Sequence, residues 1–142
     1  MGEVIAAAPG HLSPVSARRL LAGRALAGLA AGSAFVAALG TLADVAHAGP
    51  DTRLAQTWWL YGLLVFAALF VLLAVFPLRM RGLWEIVLLN KLALTVTATG
   101  YLVTGGATGS GTVAASDGAL LVILLAAYLC VGGWRAGRGP TT

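Results

Sequence analysis

The stretch TWWLYGLLVFAALFVLLAVFPL, residues Thr57–Leu78, decides the fold class because it carries no charge over a length that can cross a bilayer. About twenty apolar residues in a helix span the hydrocarbon core. The rest of the chain agrees, since 59% of its 142 residues are hydrophobic and 10% are charged. Soluble domains carry about 25% charged residues. The composition therefore predicts an integral membrane protein.

Three further apolar runs accompany this stretch. With it, they predict transmembrane helices over residues of about 20–43, 57–78, 83–104 and 118–134. The predicted fold is all-α, a four-helix bundle over residues 18–135 with a flexible tail at 1–17 and a second tail at 136–142. The outer connections are expected to be a polar segment, Asp44–Gln56, and a flexible linker rich in Gly, Ser and Thr over residues 105–116.

The basic residues predict the orientation of the bundle. Seven of the nine lie before the first helix, between the second and third, or after the fourth: Arg18, Arg19, Arg24, Arg79, Arg81, Arg135 and Arg138. Only Arg53 falls on the other side. The positive-inside rule then places both termini in the cytoplasm. Abundant Arg, Ala and Gly are typical of a bacterial source with high GC content, so we expect the bacterial inner (plasma) membrane.

The aromatic residues fit the same orientation, because tryptophan and tyrosine favour the membrane–water interfaces. We expect Trp58, Trp59, Tyr61 and Tyr101 near the outer interface and Trp84 and Trp134 near the inner one.

The first helix admits two interpretations. The motif AHA at Ala46–Ala48 follows an Arg-flanked apolar run and resembles a signal-peptidase site, whose cleavage would leave three helices. An apolar run of nineteen residues, however, exceeds the 7 to 15 of a signal core. The spacing GLAAG at Gly28–Gly32 also favours a retained helix, since small residues four apart let a neighbouring helix approach closely.

The scarce reactive side chains exclude several classes of protein. With Cys130 as the single cysteine, thiol exchange within the chain is excluded. His11 and His47 both lie outside the apolar runs, which excludes a haem held by two intramembrane histidines. We expect no cofactor. The net charge of +4 lies in short groups beside apolar segments and not in one stripe, so we expect no nucleic-acid partner.

Polar residues inside the third apolar run form the candidate ligand site. On a helical wheel they lie along two edges, which predicts that this helix is the most enclosed of the four. The candidate residues are Glu85, Asn90, Lys91, Thr95, Thr97 and Tyr101. In one interpretation Lys91 and Asn90 line a pocket for an anionic or carbonyl-bearing ligand. In the other, Lys91 extends along the membrane toward Glu85 and the cytoplasmic interface.

A second, weaker group of polar residues is expected outside the membrane. It comprises Asp44, His47, Asp51 and Asp117. Carboxylates and an imidazole can hold a divalent ion, but this spacing matches no metal motif. Asp117 also suits the N-terminus of the fourth helix, where a carboxylate caps free backbone N–H groups. We therefore assign no metal site.

Three classes of function stay open. The first is a non-catalytic membrane subunit or a protein that binds a lipophilic ligand. The second is a membrane enzyme or redox accessory acting on a lipid or quinone-like substrate; the size and helix count resemble DoxX-like proteins in architecture only. The third is a small oligomeric transporter, although the first helix lacks the acid that small multidrug exporters need. The expected partners are the lipid bilayer, a lipophilic small molecule, another membrane protein, or a second copy of the chain.

Overall fold

The protein is described by a computed structural model that covers residues 15–80 and 82–136. It contains four α-helices, α1 Ala17–His47, α2 Pro50–Val75, α3 Leu83–Thr104 and α4 Ser110–Val131, followed by a 3₁₀ turn at Gly133–Arg135. All four are long and apolar enough to cross a membrane. The shorter two have 22 residues, about 33 Å of helix, which matches a hydrocarbon core of about 30 Å.

The helices alternate in direction, so the bundle has two ends. We call the end that holds connections 48–49 and 105–109 the hairpin end. The opposite end, with the start of α1, the loop 76–82 and the finish of α4, is the termini end. Most of the predicted tails, 1–14 and 137–142, and the orienting residues Arg81 and Arg138 lie outside the described residues.

The packing is centred on α1. This helix contacts α2 on one side and α4 on the other, and α3 packs on α4, whereas α2 and α3 scarcely touch although one loop joins them. The core comprises Ala27, Ala30, Ala31, Ala34, Ala67, Phe70, Leu73, Trp84, Val87, Leu124, Ala127 and Val131. Many large apolar side chains lie on the outside of the bundle instead. Helices that are apolar all round are typical of membrane spans.

The observed helix ends differ from the predicted ones at positions where proline begins or stops a helix. The third helix coincides with the predicted 83–104. The second begins at Pro50, because proline at the first helical position is already set for helix, and it ends before Pro77, which cannot continue it. Residues 50–56 of the expected polar loop are therefore helical.

The fourth helix shows the largest difference, since it begins at Ser110 and not near 118. The expected linker 105–116 shrinks to 105–109. At the other end, Gly132 takes a left-handed conformation, with φ of 67°, and ends the helix at Val131. The early start carries Asp117 from the expected helix cap to the interior of α4.

Helix α1 packs through a stripe of small residues, as predicted, but the stripe does not include the predicted Gly28 and Gly32. Gly28 and Gly32 are exposed, and a Cβ built on either would meet nothing within 4 Å. Gly23 and the core alanines make the close contacts instead. The expectation that the third helix is the most enclosed is also wrong. In its most apolar window 28% of α1 is buried, against 17% of α3, because α1 has two neighbours along its length.

Two arginines of α1 bind the adjacent helix ends. Arg19 donates from Nη2 to the carbonyl of Leu129 in α4 at 2.9 Å, and Arg24 donates from Nε to the carbonyl of Ala74 in α2 at 2.8 Å. Last-turn carbonyls lack partners within their own helix, and a cation offsets the negative end of the dipole. Cleavage after Ala48 would remove these contacts together with the alanine stripe. The retention of the first helix stays a prediction from the sequence.

We expect Gly23→Ala to lower the free energy of unfolding by about 1–3 kcal/mol, the usual cost of overpacking. A Cβ at this position would overlap a methyl of Val131 and lie 3.0 Å from the carbonyl oxygen of Ala127. Equilibrium unfolding in mixed micelles of a mild detergent and sodium dodecyl sulfate measures the change.

The matched control is Gly28→Ala, in the same helix, where a Cβ meets open space. This variant should be unchanged or more stable by up to about 1 kcal/mol, because alanine has the higher helix propensity. Equal effects at both positions would contradict the close packing of α1 against α4.

Candidate functional site

The ion pair between Lys91 of α3 and Asp117 of α4 lies inside the bundle. Nζ of Lys91 is 2.5 Å from Oδ1 of Asp117, and the two residues are 4% and 8% exposed. They are the only buried residues with formally charged side chains in the part of the chain that the structure describes. At about 1.5 Å per residue, Lys91 lies about 12 Å along α3 from the termini end, and Asp117 about 10 Å along α4 from the hairpin end. Neither charge is near an end of the bundle.

Two phenylalanines of α2 face the ammonium group. The ring centroid of Phe66 lies 4.4 Å from Nζ of Lys91, and that of Phe70 lies 5.9 Å away. A cation above a ring is attracted by its negative face, by about 2 kcal/mol where water is excluded. Lys91 therefore links α3 to α4 through its charge. It also links α3 to α2 through the two phenylalanine rings, and α2 and α3 otherwise make little contact.

A close approach of α3 and α4 brings the two charges together. Thr95, one turn after Lys91, donates from Oγ1 to the carbonyl of Lys91 at 2.7 Å. Its methyl group faces Gly118, where a Cβ would lie 3.5 Å from it. The hydroxyl is satisfied within α3, which leaves the apolar side of Thr95 for packing.

The ion pair forms part of the wall of a cavity of about 770 Å³ that all four helices line. The wall is mostly apolar and includes Ala34, Leu63, Phe66, Leu94, Leu120 and Ile123. Trp59 and Thr112 mark its extension toward the hairpin end. Cavities of about 300–1,000 Å³ with apolar walls and a few polar groups are typical of small-molecule sites.

Three of the hydroxyl groups along the wall, those of Ser33, Thr41 and Ser116, are bonded within their own helices. Ser33 donates to the carbonyl of Ala30, and Thr41 donates to that of Ala37, each at 2.9 Å. Ser116 donates to the carbonyl of Val113 at 3.2 Å. These groups keep an oxygen that can accept, but their protons are in use. Lys91 and Asp117 are therefore the strongest polar groups that the cavity offers.

The structure separates most of the predicted ligand residues from Lys91. Glu85 lies in the first turn of α3, at the termini end, and is not part of the cavity wall. It accepts a hydrogen bond from the hydroxyl of Tyr128 at 3.1 Å. Oδ1 of Asn90 is buried without a hydrogen-bond partner among the described residues. Thr97 and Tyr101 are exposed. Of the six, only Lys91 lines the cavity. The interpretation in which it extends toward Glu85 is not what the structure shows.

The four polar residues expected outside the membrane do not come together in the structure either. His47 bonds through Nδ1 to the carbonyl of Ala43 at 2.8 Å, and Asp44 and Asp51 are exposed. Asp117 is paired with Lys91. Within residues 15–80 and 82–136, no three side chains of His, Cys, Asp or Glu come together as a group that could hold a metal ion. The early start of α4 is the physical reason that Asp117 leaves this group.

No protein-family model, curated protein or solved structure matches this chain. What the site can do must follow from its own geometry. That geometry consists of an apolar cavity with one neutralised pair of opposite charges on its wall.

Sequence reasoning missed Asp117 and Phe66 as partners of Lys91. One signal was available for Asp117. Connections between helices in bundles usually have 2–8 residues, so a linker of twelve residues after the third helix was too long. A shorter connection moves Asp117 into the bundle, within reach of the side chain of Lys91. Phe66 had no such signal, because any apolar residue of the second helix fits that position equally well.

Proposed function

We propose that this protein is a multi-pass membrane protein that binds a small lipophilic molecule in the cavity between its four helices. The observation that carries the proposal is the ion pair of Lys91 and Asp117 on the wall of a cavity of about 770 Å³. An apolar molecule, or the apolar part of one, suits the wall. The pair offers a polar group for recognition.

A buried ion pair is weak evidence for a purely structural role. Apolar residues of similar volume at both positions are often neutral or more stable by about 1–4 kcal/mol, because burying two charges costs several kcal/mol each. Ionisable residues within membrane helices usually line binding sites or pathways. A buried pair beside a cavity therefore supports a role in binding.

The proposed setting is the inner membrane of a bacterium, with the termini end in the cytoplasm. In the described part of the chain the termini end carries Arg18, Arg19, Arg24, Arg79 and Arg135, whereas the hairpin end carries Arg53. Short basic segments stay on the cytoplasmic side. The cavity then opens in the outer half of the bilayer, toward the hairpin end.

We expect the wild-type protein, taken gently from its own membrane, to carry a bound small molecule in native mass spectrometry. Gly62→Phe should lose this molecule. Gly62 lines the cavity, and a Cβ there would meet nothing within 4 Å, so the new ring can occupy the cavity without a clash at its base.

The matched control is Gly40→Phe. Gly40 also has open space around a Cβ, but it lies outside the cavity wall, so its variant should keep the molecule. A wild-type protein that is always bare, or a Gly62→Phe variant that carries the same molecule in the same amount, would overturn the proposal.

A further inference from the structure

The ion pair keeps unused hydrogen-bonding capacity on the cavity side. An ammonium group has three N–H donors and a carboxylate has two acceptor oxygens. In the described residues, Lys91 donates one hydrogen bond, to Oδ1 of Asp117, and its ammonium group lies 4.4 and 5.9 Å from the ring centroids of Phe66 and Phe70. The second oxygen, Oδ2, accepts nothing from this part of the chain. A donor and an acceptor thus stand side by side on the wall.

The charge of the pair restricts what can bind beside it. Lys91 and Asp117 neutralise each other, so a charged head group would bring a third, uncompensated charge into an apolar cavity. Burying an uncompensated charge is strongly unfavourable. A neutral head group adds no such cost. The net charge of the site therefore disfavours carboxylate, phosphate and ammonium ligands.

The adjacent donor and acceptor restrict the head group further. A carbonyl or an ether can accept from Lys91 but has no proton for Asp117. A hydroxyl does both with one oxygen, since it accepts from N–H and donates to Oδ2. A buried donor or acceptor that is left without a partner weakens binding, so a ligand that serves both is preferred.

Resting on the proposed function, we infer that the ligand is a neutral amphiphile with a hydroxyl head group, a long-chain alcohol or a hydroxyl-bearing lipid of the same chemistry. Its hydroxyl lies between Lys91 and Asp117. Its hydrocarbon chain lies along the apolar wall, past Leu63, Leu94 and Leu120. The alcohol is bound as such and no bond is formed or broken.

The test compares probes that share one chain and differ in head group. The full-length protein is placed in phosphatidylcholine nanodiscs, and the bound fraction of dodecanol, methyl dodecyl ether, dodecanoate and dodecylamine is measured by native mass spectrometry. We expect dodecanol to bind about tenfold to a hundredfold more tightly than the ether, which lacks the proton for Asp117. Dodecanoate and dodecylamine should bind at least about tenfold more weakly than dodecanol.

Two variants change the charge of the site and should reverse this preference. Asp117→Asn leaves Lys91 without a counter-charge, so dodecanoate should become the preferred probe. Lys91→Met leaves Asp117 alone, and dodecylamine should then be preferred. If the ion pair had only a structural role, the two variants would not prefer probes of opposite charge. The wild-type comparison stands by itself if either variant fails to fold.

The outcomes separate the two proposals. If no probe binds the wild type more tightly than it binds Gly62→Phe, the cavity is not a ligand site and the proposed function fails. If Gly62→Phe blocks binding but the ether equals the alcohol, or a charged probe exceeds it, the cavity binds a ligand of another class. In that case the hydroxyl inference alone is wrong.

Discussion

Replacing Asp117 with leucine is expected to lower the free energy of unfolding by about 3–5 kcal/mol, because the change leaves the charge of Lys91 buried and unpaired. Lys91 is 4% exposed and about 12 Å from the nearer end of its helix. Its second set of contacts, the rings of Phe66 and Phe70, offsets only part of a missing carboxylate. Unfolding in mixed micelles gives the change directly.

The double variant Lys91→Met with Asp117→Leu decides what the loss means. Because both charges are then gone, its stability should return to the wild-type value or exceed it by about 1–4 kcal/mol. Recovery of this kind would show that the pair is not required for folding. It would also yield a folded protein in which binding can be measured without either charge.

A matched control uses an aspartate outside the bundle interior. Asp44 is exposed on the last turns of α1, so Asp44→Leu should change stability by no more than about 0.5 kcal/mol. Asp117→Leu with the same small effect would mean that Lys91 finds another partner or extends to an interface. That is the alternative that the sequence leaves open.

The ion pair also shows where sequence reasoning succeeds and where it stops. The bounds of α3 are predictable because glycines at 82 and 105 flank one mostly apolar stretch of spanning length. The start of α4 is not predictable from local preference, because Gly, Ser and Thr favour a linker, while packing against α3 makes residues 110–117 helical. The local preference of this segment is overridden by tertiary contacts.

The partner of Lys91 depends on that start. With α4 beginning near 118, Asp117 is a helix cap in water and Lys91 has only Glu85 within reach. With α4 beginning at Ser110, Asp117 lies inside the bundle and attracts Lys91 across the interface between α3 and α4. Moving the start of α4 by eight residues therefore turns two separate charges into a buried ion pair. A helical wheel of α3 alone cannot show which residue of α4 pairs with Lys91.

The residues of α1 show the same limit in apolar packing. The small-residue pattern predicts a close contact somewhere along the helix, and Gly23 makes one. Gly28 and Gly32 fit the pattern as well, yet they face outward beside Phe35 in a groove between α1 and α2. Spacing identifies the possible faces of a helix, whereas only the neighbouring helices decide which face is used.

The second large effect is expected at Trp84, whose replacement by alanine should lower the free energy of unfolding by about 3–5 kcal/mol. The sequence places this tryptophan at a membrane interface, but the structure buries it completely in the first turn of α3. Its Nε1 donates to the carbonyl of Pro77 at 2.7 Å, and its ring lies 5.9 Å from that of Tyr128. It thus joins the loop between α2 and α3 to α4.

Two further variants separate the contributions of ring and hydrogen bond. Trp84→Phe keeps an aromatic ring and should cost about 1–3 kcal/mol, since the carbonyl of Pro77 loses its donor. Trp58→Ala is the control, because Trp58 is 73% exposed and its loss should change stability little in the same micelle assay. If Trp84→Ala and Trp58→Ala had equal small effects, Trp84 would be an interfacial residue after all.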